Sequence, residues 1–198
     1  MRRRPNLIVF VKAPRRGQVK TRLARGIGFA EATRFYRGEC FALLRRLGRD
    51  RRWTLWLAIA ELRDMRSGFW PMRFARVSQK RGDLGARMRS AYEALPRGPA
   101  VIVGSDIPDA NADRIASAFR ALAGHDAVFG PASDGGYWLV GFRERRHVRR
   151  AFSGVRWSSA VALSDTLANL ARMRVAMVDT LHDVDTPEDY GRWRRRTA

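Results

Sequence analysis

A chain of 198 residues that is 45% hydrophobic can bury one core, and we expect a single domain over residues 1–198. Its one cysteine excludes an internal disulfide, and no apolar run approaches the ~20 residues that a membrane span needs. The net charge of +20 suggests nucleic-acid binding, but the 39 basic residues are scattered along the chain, so we keep this only as a third hypothesis.

Along the chain, short apolar runs alternate with longer amphipathic stretches. The apolar runs predict strands over 6–13, 53–60, 73–78, 100–106, 126–132, 137–142 and 174–181. The run at 6–11 is too short for a signal peptide, so we expect a cytoplasmic protein. Helical spacing and capping residues predict helices over 29–47, 84–95 and 112–122, from Ser158 or Ser159 to about Arg172, and onward from Thr186. This alternation predicts an α/β fold with a mostly parallel sheet covered on both faces, in which ligands bind beyond the carboxyl ends of the strands.

The first loop at a strand end is basic. Residues 10–25, FVKAPRRGQVKTRLAR, contain two of the three lysines of the chain, Lys12 and Lys20, with Gly17 between them. This is not a Walker P-loop, because two residues separate Gly17 from Lys20 where that motif has glycine directly before lysine. In a looser phosphate site, Gly17 would let the backbone approach a pyrophosphate, and the two lysines with Arg22 would neutralise its charge. The alternative is a solvated basic turn.

Acidic residues follow two other predicted strands. Asp106 comes directly after the strand in VIVGSD, where a carboxylate can hold a divalent metal that bridges phosphates. The alternative is that Ser105 or Asp106 only caps the turn. Asp183 and Asp185 are two positions apart, so in an extended segment both side chains would point to one side. Helix capping by Asp185 and Thr186 is the alternative there.

Two further loops contain glycines. Asp134-Gly135-Gly136 predicts a tight turn between two strands, and an ordinary hairpin would explain these glycines. In QKRGDLGARM, residues 79–88, Gly82 and Gly85 would let backbone groups approach a base or ribose, although a plain loop-to-helix transition explains them equally well. The histidines share no metal-ligand spacing, and no Ser/His/Asp or Cys/His arrangement is evident, so nucleophilic hydrolysis is poorly supported.

Six stretches resemble, in order, the motifs of the small bacterial DUF2064 glycosyltransferase-like proteins of the GT-A (nucleotide-diphospho-sugar transferase) superfamily. They are VFVKAPRRGQVKTRLA, QKRGDLGARM, GSDIPD, GPASDGGYWLVGF, FSGVRWSSAVALSDTL and LHDVDTPEDY, and they extend from about residue 7 to 190. The resemblance implies a three-layer α/β/α Rossmann-like GT-A fold, with the nucleotide near the first loop and a metal near the central strand. The sequence departs from the usual family pattern at Arg16, where a proline is common, and at Ile107, where a cysteine is common.

The resemblance also implies roles for single residues. Lys20 and Arg22 would contact the phosphates of the donor. Asp106 and Asp185 would be the ligands of Mg²⁺ or Mn²⁺, and Asp134 would face the acceptor or the transferred group. Lys20, Asp106 and Asp134 are therefore the expected catalytic side chains.

On the nucleoside side, the resemblance places Gln79, Gly82 and Gly85, and the basic loop adds Lys12 to the phosphate site. We expect a metal-dependent transferase that acts on a nucleotide-activated donor and a small-molecule acceptor, with a nucleotide-diphospho-sugar as the first choice of donor. The alternative is nucleotidyl transfer from an NTP with release of pyrophosphate. DVDTPEDY also resembles the closing motif of the nucleotidyltransferases that make molybdenum cofactor dinucleotides, which is why this alternative stays open.

Overall fold

The apolar runs form strands as predicted. The computed structural model describes residues 4–197 and has these strands: β1 (Asn6–Val11), β2 (Thr54–Ile59), β3 (Ala75–Ser78), β4 (Ala100–Gly104), β5 (Ala127–Pro131), β6 (Tyr137–Phe142) and β7 (Val175–Met177). They form one sheet in the order β3-β2-β1-β4-β6-β5-β7. Only β6 runs antiparallel to its neighbours, so the prediction of a mostly parallel sheet is confirmed.

The amphipathic stretches form the helices. These are α1 (Thr21–Ile27), α2 (Phe29–Leu47), α3 (Leu84–Glu93), α4 (Ala112–Gly124), α5 (Val148–Ala151), α6 (Ala162–Asn169) and α7 (Pro187–Thr197). Among residues 4–197, none of these helices has the length and apolar character that a membrane crossing requires.

Alternate side chains of the central strand β1 enter cores on opposite faces of the sheet. Leu7 and Val9 pack in a core with α2 and α4, for example with Leu43 of α2. Ile8 packs in the other core with Met88 of α3 and with α5. Because β-strand side chains alternate and the burial of apolar area drives folding, both faces are covered by helices. The three-layer α/β/α Rossmann-like architecture is therefore confirmed.

A third, smaller core joins α1, α2 and α7 beside one end of the sheet. Leu23 of α1 and Phe35 of α2 pack there with Val184, which precedes α7 in the chain. Phe35 also meets the ring of Tyr190 edge-on, with 5.3 Å between the ring centroids. This core holds the basic loop before α1 against the acidic loop before α7.

The cap of α7 forms as predicted and fixes the acidic loop. The Thr186 hydroxyl accepts a hydrogen bond from the Asp189 N–H at 3.2 Å, while the Asp189 carboxylate accepts from the Thr186 N–H at 2.9 Å. The same carboxylate accepts from the Asp185 N–H at 3.1 Å. This reciprocal arrangement is a capping box, and it fixes the backbone that presents Asp185.

Two predicted elements have shorter bounds than expected, and one helix was not predicted. The helix expected from Ser158 or Ser159 to Arg172 is α6, which begins at Ala162 without a side-chain cap and ends at Asn169. Ser158 has φ +57°, outside the extended region that an N-cap residue adopts, and the Ser159 hydroxyl donates to the carbonyl of Arg156. The strand expected over 174–181 is only β7, with an isolated bridge between Ala132 and Leu181 beyond it. Helix α1 was not predicted.

Gly135 occupies the tight turn between β5 and β6 that the sequence predicts. Its φ is +86°, and a Cβ there would lie 2.0 Å from the carbonyl oxygen of Ala160. Asp134 closes the turn, because its carboxylate accepts a hydrogen bond from the Gly136 N–H at 2.9 Å. Both the left-handed backbone and the close approach of the neighbouring segment therefore require glycine.

We expect Gly135→Ala to lower the free energy of unfolding by about 2–3 kcal/mol, because it combines a left-handed non-glycine backbone with a clash against backbone atoms that cannot rotate away. Chemical denaturation measures this change. Gly124→Ala is the matched control, since a Cβ at Gly124 at the end of α4 has no neighbouring atom within 4 Å. Equal effects of the two substitutions would contradict this account of the turn.

Candidate functional site

A cavity opens where β1, β2 and β4 end at the same edge of the sheet. Its volume is about 300 Å³. Four of the side chains that the sequence assigns to the site line it: Lys12, Lys20, Gln79 and Asp106. The register of the parallel strands brings them together, since Phe10 of β1 lies level with both Ala58 and Gly104. This is the edge at which ligands bind in open parallel sheets.

Lys20 lies at the centre of the polar groups. Its ammonium nitrogen is 2.7 Å from Oδ2 of Asp106 and 2.6 Å from Oδ1 of Asp185, and its side chain is 3% exposed. Burial lowers the pKa of Lys20, but the two carboxylates more than offset this effect, so its pKa lies above the ordinary lysine value. The protein thus holds a cation between two carboxylates that are far apart in sequence. We call Lys20, Asp106 and Asp185 the ion-pair cluster.

The backbone around Lys20 is unusual for a lysine. Lys20 precedes α1 with φ +47° and ψ +46°, a left-handed conformation that costs a residue with a side chain about 1–3 kcal/mol. Val19 beside it is buried, which fixes the loop on the core. A strained conformation at a buried, ion-paired residue is typical of functional sites.

Tyr36 of α2 connects the loops that follow β1 and β4. Its hydroxyl accepts from the N–H of Lys12, donates to the carbonyl of Lys12, and lies 3.0 Å from Oγ of Ser105. Burial, with smaller contributions from Cys40 and Asp106, raises the pKa of Tyr36, so the phenol stays protonated. Tyr36 was not predicted as a site residue, since a tyrosine on the buried face of an amphipathic helix has the pattern of a core residue.

Gln79 and Arg87 also line the cavity at the ends of β1, β2 and β4, which we call the first cavity. The Gln79 side chain is buried, donates to the carbonyl of Ala58 at 2.7 Å and accepts from the Arg87 guanidinium. Burial lowers the pKa of Arg87, and the charge of Glu61 partly offsets this. Arg87 lines the cavity and was missed, although it lies within the glycine-bearing stretch at 79–88.

None of the three predicted glycines is among the described residues that line the first cavity. Gly17 has φ +77° in an exposed turn, and a Cβ there would have open space around it. Gly82 has φ +121° in the loop before α3. Gly85 lies in the first turn of α3, where a Cβ would be 2.7 Å from Cζ2 of Trp157. Packing of α3 against Trp157 therefore accounts for Gly85.

Arg22 and Asp134 line a second cavity of about 200 Å³ beside the ion-pair cluster. Arg22 is 66% exposed in its side chain, and its Nη1 lies 3.9 Å from Oδ2 of Asp185. Asp183 also lines this second cavity, together with Tyr137 and Trp157. The predicted residues are thus divided: Lys12, Lys20 and Asp106 line the first cavity, and Arg22 and Asp134 line the second. Asp185 is in the lining of neither, but contacts Lys20.

Asp183 carries a buried oxygen without a partner. Its Oδ1 has no hydrogen bond within the described part of the chain. Burial, followed by the charges of Asp106, Asp185 and Asp134, raises the pKa of Asp183 to about 7, although Lys20 opposes the shift. The sequence placed Asp183 beside Asp185 without a role, and the structure brings both into one electrostatic cluster.

We expect Asp183→Asn to change how stability depends on pH in metal-free protein. The pKa of Asp183 rises from 3.8 to about 7 on folding, so between these values the folded state holds a proton that the unfolded state releases. Stability from this group is therefore fully present at low pH and falls as pH rises, by at most about 1.4 kcal/mol per pH unit. The stability of Asp183→Asn relative to the parent should rise from pH 4 to pH 7 in EDTA. A difference that does not vary with pH would contradict the assignment.

The ion-pair cluster supplies only some of the ligands that a divalent cation needs. Among residues 4–197, no three His, Cys, Asp or Glu side chains are arranged as a metal site. Asp106 and Asp185 nevertheless converge on one cationic nitrogen, and Asp183 adds an unpartnered buried oxygen. Mg²⁺ commonly uses one or two carboxylates and completes its shell with phosphate and water oxygens. The donor set therefore fits a cation that is bound together with phosphates.

Known structures resemble the whole chain. A candidate nucleotide-diphospho-sugar transferase from Desulfovibrio desulfuricans G20 has 30% identity and a TM-score of 0.90, with 99% of this chain and 88% of that chain covered. The molybdopterin-guanine dinucleotide biosynthesis protein A of Archaeoglobus fulgidus has 15% identity and a TM-score of 0.61, with 97% and 98% covered. Rv0371c of Mycobacterium tuberculosis, in complex with manganese, has 17% identity and a TM-score of 0.58, with 97% and 98% covered.

The sequence comparisons identify the family. The comparison with curated proteins found no match. The family model described as "Uncharacterized protein conserved in bacteria (DUF2064)" matches residues 43–159, more than half of the chain. The expected GT-A-like fold agrees with the first of the similar structures, which is 30% identical over 99% of this chain. The chain therefore belongs to the DUF2064 family.

Proposed function

We propose that this protein is a metal-dependent transferase that uses a nucleotide-activated donor, specifically a glycosyltransferase that acts on a nucleotide-diphospho-sugar. The ion-pair cluster carries the proposal, because it holds a buried cation between two carboxylates, and Lys20 and Asp106 of this cluster line the first cavity. A pyrophosphate with a bound metal ion needs both, because carboxylates bind the metal and a cation neutralises the phosphate oxygens. The similarity to a candidate nucleotide-diphospho-sugar transferase supports this choice of donor.

In this proposal the first cavity holds the nucleotide. Gln79 faces the nucleoside, with Gly82 of the loop before α3 and Gly85 of the first turn of α3 near it. Lys12, which lines the same cavity, and Lys20 face the phosphates. We also propose that residues 1–198 act as one domain, since the site uses loops from both ends of the chain.

In the proposed mechanism, the positive charges around the phosphates stabilise the leaving group. Lys20 and Arg22 offset the negative charge that develops on the departing nucleoside diphosphate. A divalent cation held by Asp106 and Asp185 would supply further neutralisation of the phosphate oxygens when bound. The manganese complex of Rv0371c, which shares the fold, supports Mn²⁺ as a candidate besides Mg²⁺.

The transfer step breaks the sugar–phosphate bond and forms a bond from the sugar to an acceptor hydroxyl. The nucleoside diphosphate leaves with the electron pair of the broken bond, and the acceptor hydroxyl loses its proton. Asp134 is our candidate base for that proton, because its carboxylate lines the second cavity beside the phosphate cations.

Nucleotidyl transfer is the second candidate. There the bond between the α- and β-phosphates of an NTP breaks, pyrophosphate leaves, and a phosphate or hydroxyl of the acceptor is joined to the nucleotide. The fold shared with the molybdopterin-guanine dinucleotide biosynthesis protein supports this candidate. Nucleic-acid binding stays third, because it gives no role to the carboxylates of the ion-pair cluster.

A thermal-shift screen tests the proposal. The purified protein is heated with NTPs, nucleoside diphosphates and nucleotide sugars, each with Mn²⁺ and with EDTA. Stabilisation by UDP- or GDP-sugars that requires the metal supports glycosyl transfer, whereas stabilisation by CTP or GTP alone supports nucleotidyl transfer. The absence of any nucleotide effect, together with tight and salt-sensitive binding of random DNA or RNA, would contradict both.

A further inference from the structure

The second cavity has aromatic and acidic side chains in its lining that the phosphate chemistry does not explain. Its lining includes side chains from four separate segments: Arg22 from α1, Asp134 and Tyr137 from the turn and strand β6, Trp157 from the loop before α6, and Asp183 from the acidic loop. Segments so distant in sequence line one concave space, which is the usual arrangement of a ligand site.

Three of these side chains have polar atoms that are left without partners. The Tyr137 hydroxyl, Nε1 of Trp157 and Oδ1 of Asp183 are buried and make no hydrogen bond within residues 4–197. Buried polar atoms in folded proteins are almost always satisfied, so such exceptions need a water or a ligand as partner. The indole N–H is a donor, the Asp183 oxygen is an acceptor and the Tyr137 hydroxyl can be either, so the hydroxyl groups of a ligand can pair with all three.

The charges of the lining decide which chemistry suits it. Asp134 and Asp183 bring two carboxyl groups into the second cavity, and Arg22 is the cation that lines it. A phosphate in this space would lie against both carboxyl groups, which is unfavourable in a partly buried site. A neutral ligand with several hydroxyl groups meets no such repulsion and can donate to both carboxylates.

The aromatic rings and the volume of the second cavity also favour a neutral ligand with hydroxyl groups. The rings of Tyr137 and Trp157 meet edge-on with 6.4 Å between their centroids, and both line the cavity. The C–H groups of a sugar ring pack well on such aromatic surfaces. The volume of about 200 Å³ lies below the range of roughly 300–1,000 Å³ that is typical of sites for whole drug-sized ligands, so it suits one ring rather than a whole nucleotide sugar.

The second cavity also lies beside the side chains that we propose to bind the phosphates. Arg22 lines it and approaches Asp185 of the ion-pair cluster at 3.9 Å. A group attached to phosphates at Lys20 therefore has this space as its neighbour. We propose that the second cavity binds a single neutral sugar ring, with Trp157 and Asp183 as its hydrogen-bonding and specificity residues. This inference rests on the proposed function, and it favours glycosyl over nucleotidyl transfer.

Calorimetric titrations test the inference by isolating the contribution of the sugar. UDP is compared with UDP-glucose, and GDP with GDP-mannose, each with Mg²⁺. We expect at least one sugar nucleotide to bind about tenfold tighter than its own diphosphate, which corresponds to about 1.4 kcal/mol. Trp157→Phe should remove most of that difference while the affinity for the diphosphate stays within about twofold. Asp183→Asn should likewise remove most of the difference between the sugar nucleotide and its own diphosphate, both measured on the variant. Free glucose and mannose, added to the UDP or GDP complex, test whether the ring comes instead from an acceptor.

Trp56→Phe is the matched control, because the Trp56 indole donates to Asn6 on β1, away from the second cavity. It should leave the preference for the sugar nucleotide unchanged, and circular dichroism checks that every variant is folded. If UDP and GDP bind but neither attached nor free sugar adds affinity, the inference fails and the proposed nucleotide site stands. If no nucleotide binds, both fail. A sugar contribution that survives both substitutions would also overturn the assignment of Trp157 and Asp183.

Discussion

Lys20→Met is expected to lower the rate of transfer about 100- to 1,000-fold and the free energy of unfolding by about 2–3 kcal/mol. The loss of rate follows from the loss of a positioned cation at the phosphates. The loss of stability follows because Asp106 and Asp185 keep their charges next to each other after the ammonium between them is gone. We place the cost below the 3–5 kcal/mol of fully buried pairs, since both carboxylates are about one third exposed.

The same substitution should make the protein more responsive to divalent cations. In the parent protein the ammonium and a divalent cation compete for the same carboxylate oxygens, because Lys20 contacts both of them directly. Without the ammonium, Mn²⁺ should raise the melting temperature of Lys20→Met by more than it raises that of the parent. Thermal unfolding with EDTA and with Mn²⁺ measures this difference. Lys12→Met is the matched control, since Lys12 lines the same cavity and forms no ion pair with a described residue. Equal responses of all three proteins would contradict the cluster.

Asp106→Asn is expected to lower kcat/KM for the donor found in the screen about 100- to 1,000-fold. The amide keeps the shape of the side chain and removes the charge that Lys20 and a divalent cation both need. The concentration of Mn²⁺ required for half-maximal rate should rise by about tenfold or more. Steady-state kinetics over a range of Mn²⁺ concentrations measures both effects.

Asp113→Asn is the control for this loss of charge. Asp113 lies at the start of α4, and its side chain is 95% exposed. Its substitution changes the net charge of the protein by the same amount and should leave kcat/KM within about twofold. Unchanged activity and metal requirement in Asp106→Asn would remove the central carboxylate from the mechanism.

Most of the sheet could be predicted because its strands are continuous apolar runs. A strand that is buried on both faces, such as β1 or β4, needs apolar side chains at nearly every position, and the sequence shows this directly. Helix α1 lacks the corresponding signals. It has seven residues, no acidic residue in its first turn, and a left-handed lysine instead of a capping side chain before it. Tertiary packing of Leu23 in the third core supports it instead.

The residues of the candidate site could be predicted only where a charged residue differs clearly from its neighbours in the sequence. Asp106 was evident because it follows an apolar strand, and Lys20 because arginine is the usual basic residue of this chain. Tyr36, Arg87 and Asp183 were not assigned. Their positions depend on how α2, α3 and the acidic loop pack around the strand ends, and no local pattern encodes that packing.

The separation into two cavities also could not be predicted. The motifs place Arg22 and Lys20 in one basic loop, two residues apart. In the structure the first turn of α1 directs them differently, so that Lys20 lines the first cavity and Arg22 the second. The helix was not predicted, and therefore neither was this division.

Binding of Mn²⁺ with and without nucleotide tests the central claim most directly. Free Mn²⁺ has an electron paramagnetic resonance signal that is lost on binding, so a titration gives its affinity without any assumption about the acceptor. If a metal–phosphate group lies between the basic and acidic loops, UDP or GDP should raise the affinity of the protein for Mn²⁺ about tenfold or more, and Asp106→Asn should abolish this gain. Mn²⁺ binding that ignores both the nucleotide and the substitution at Asp106 would contradict the account.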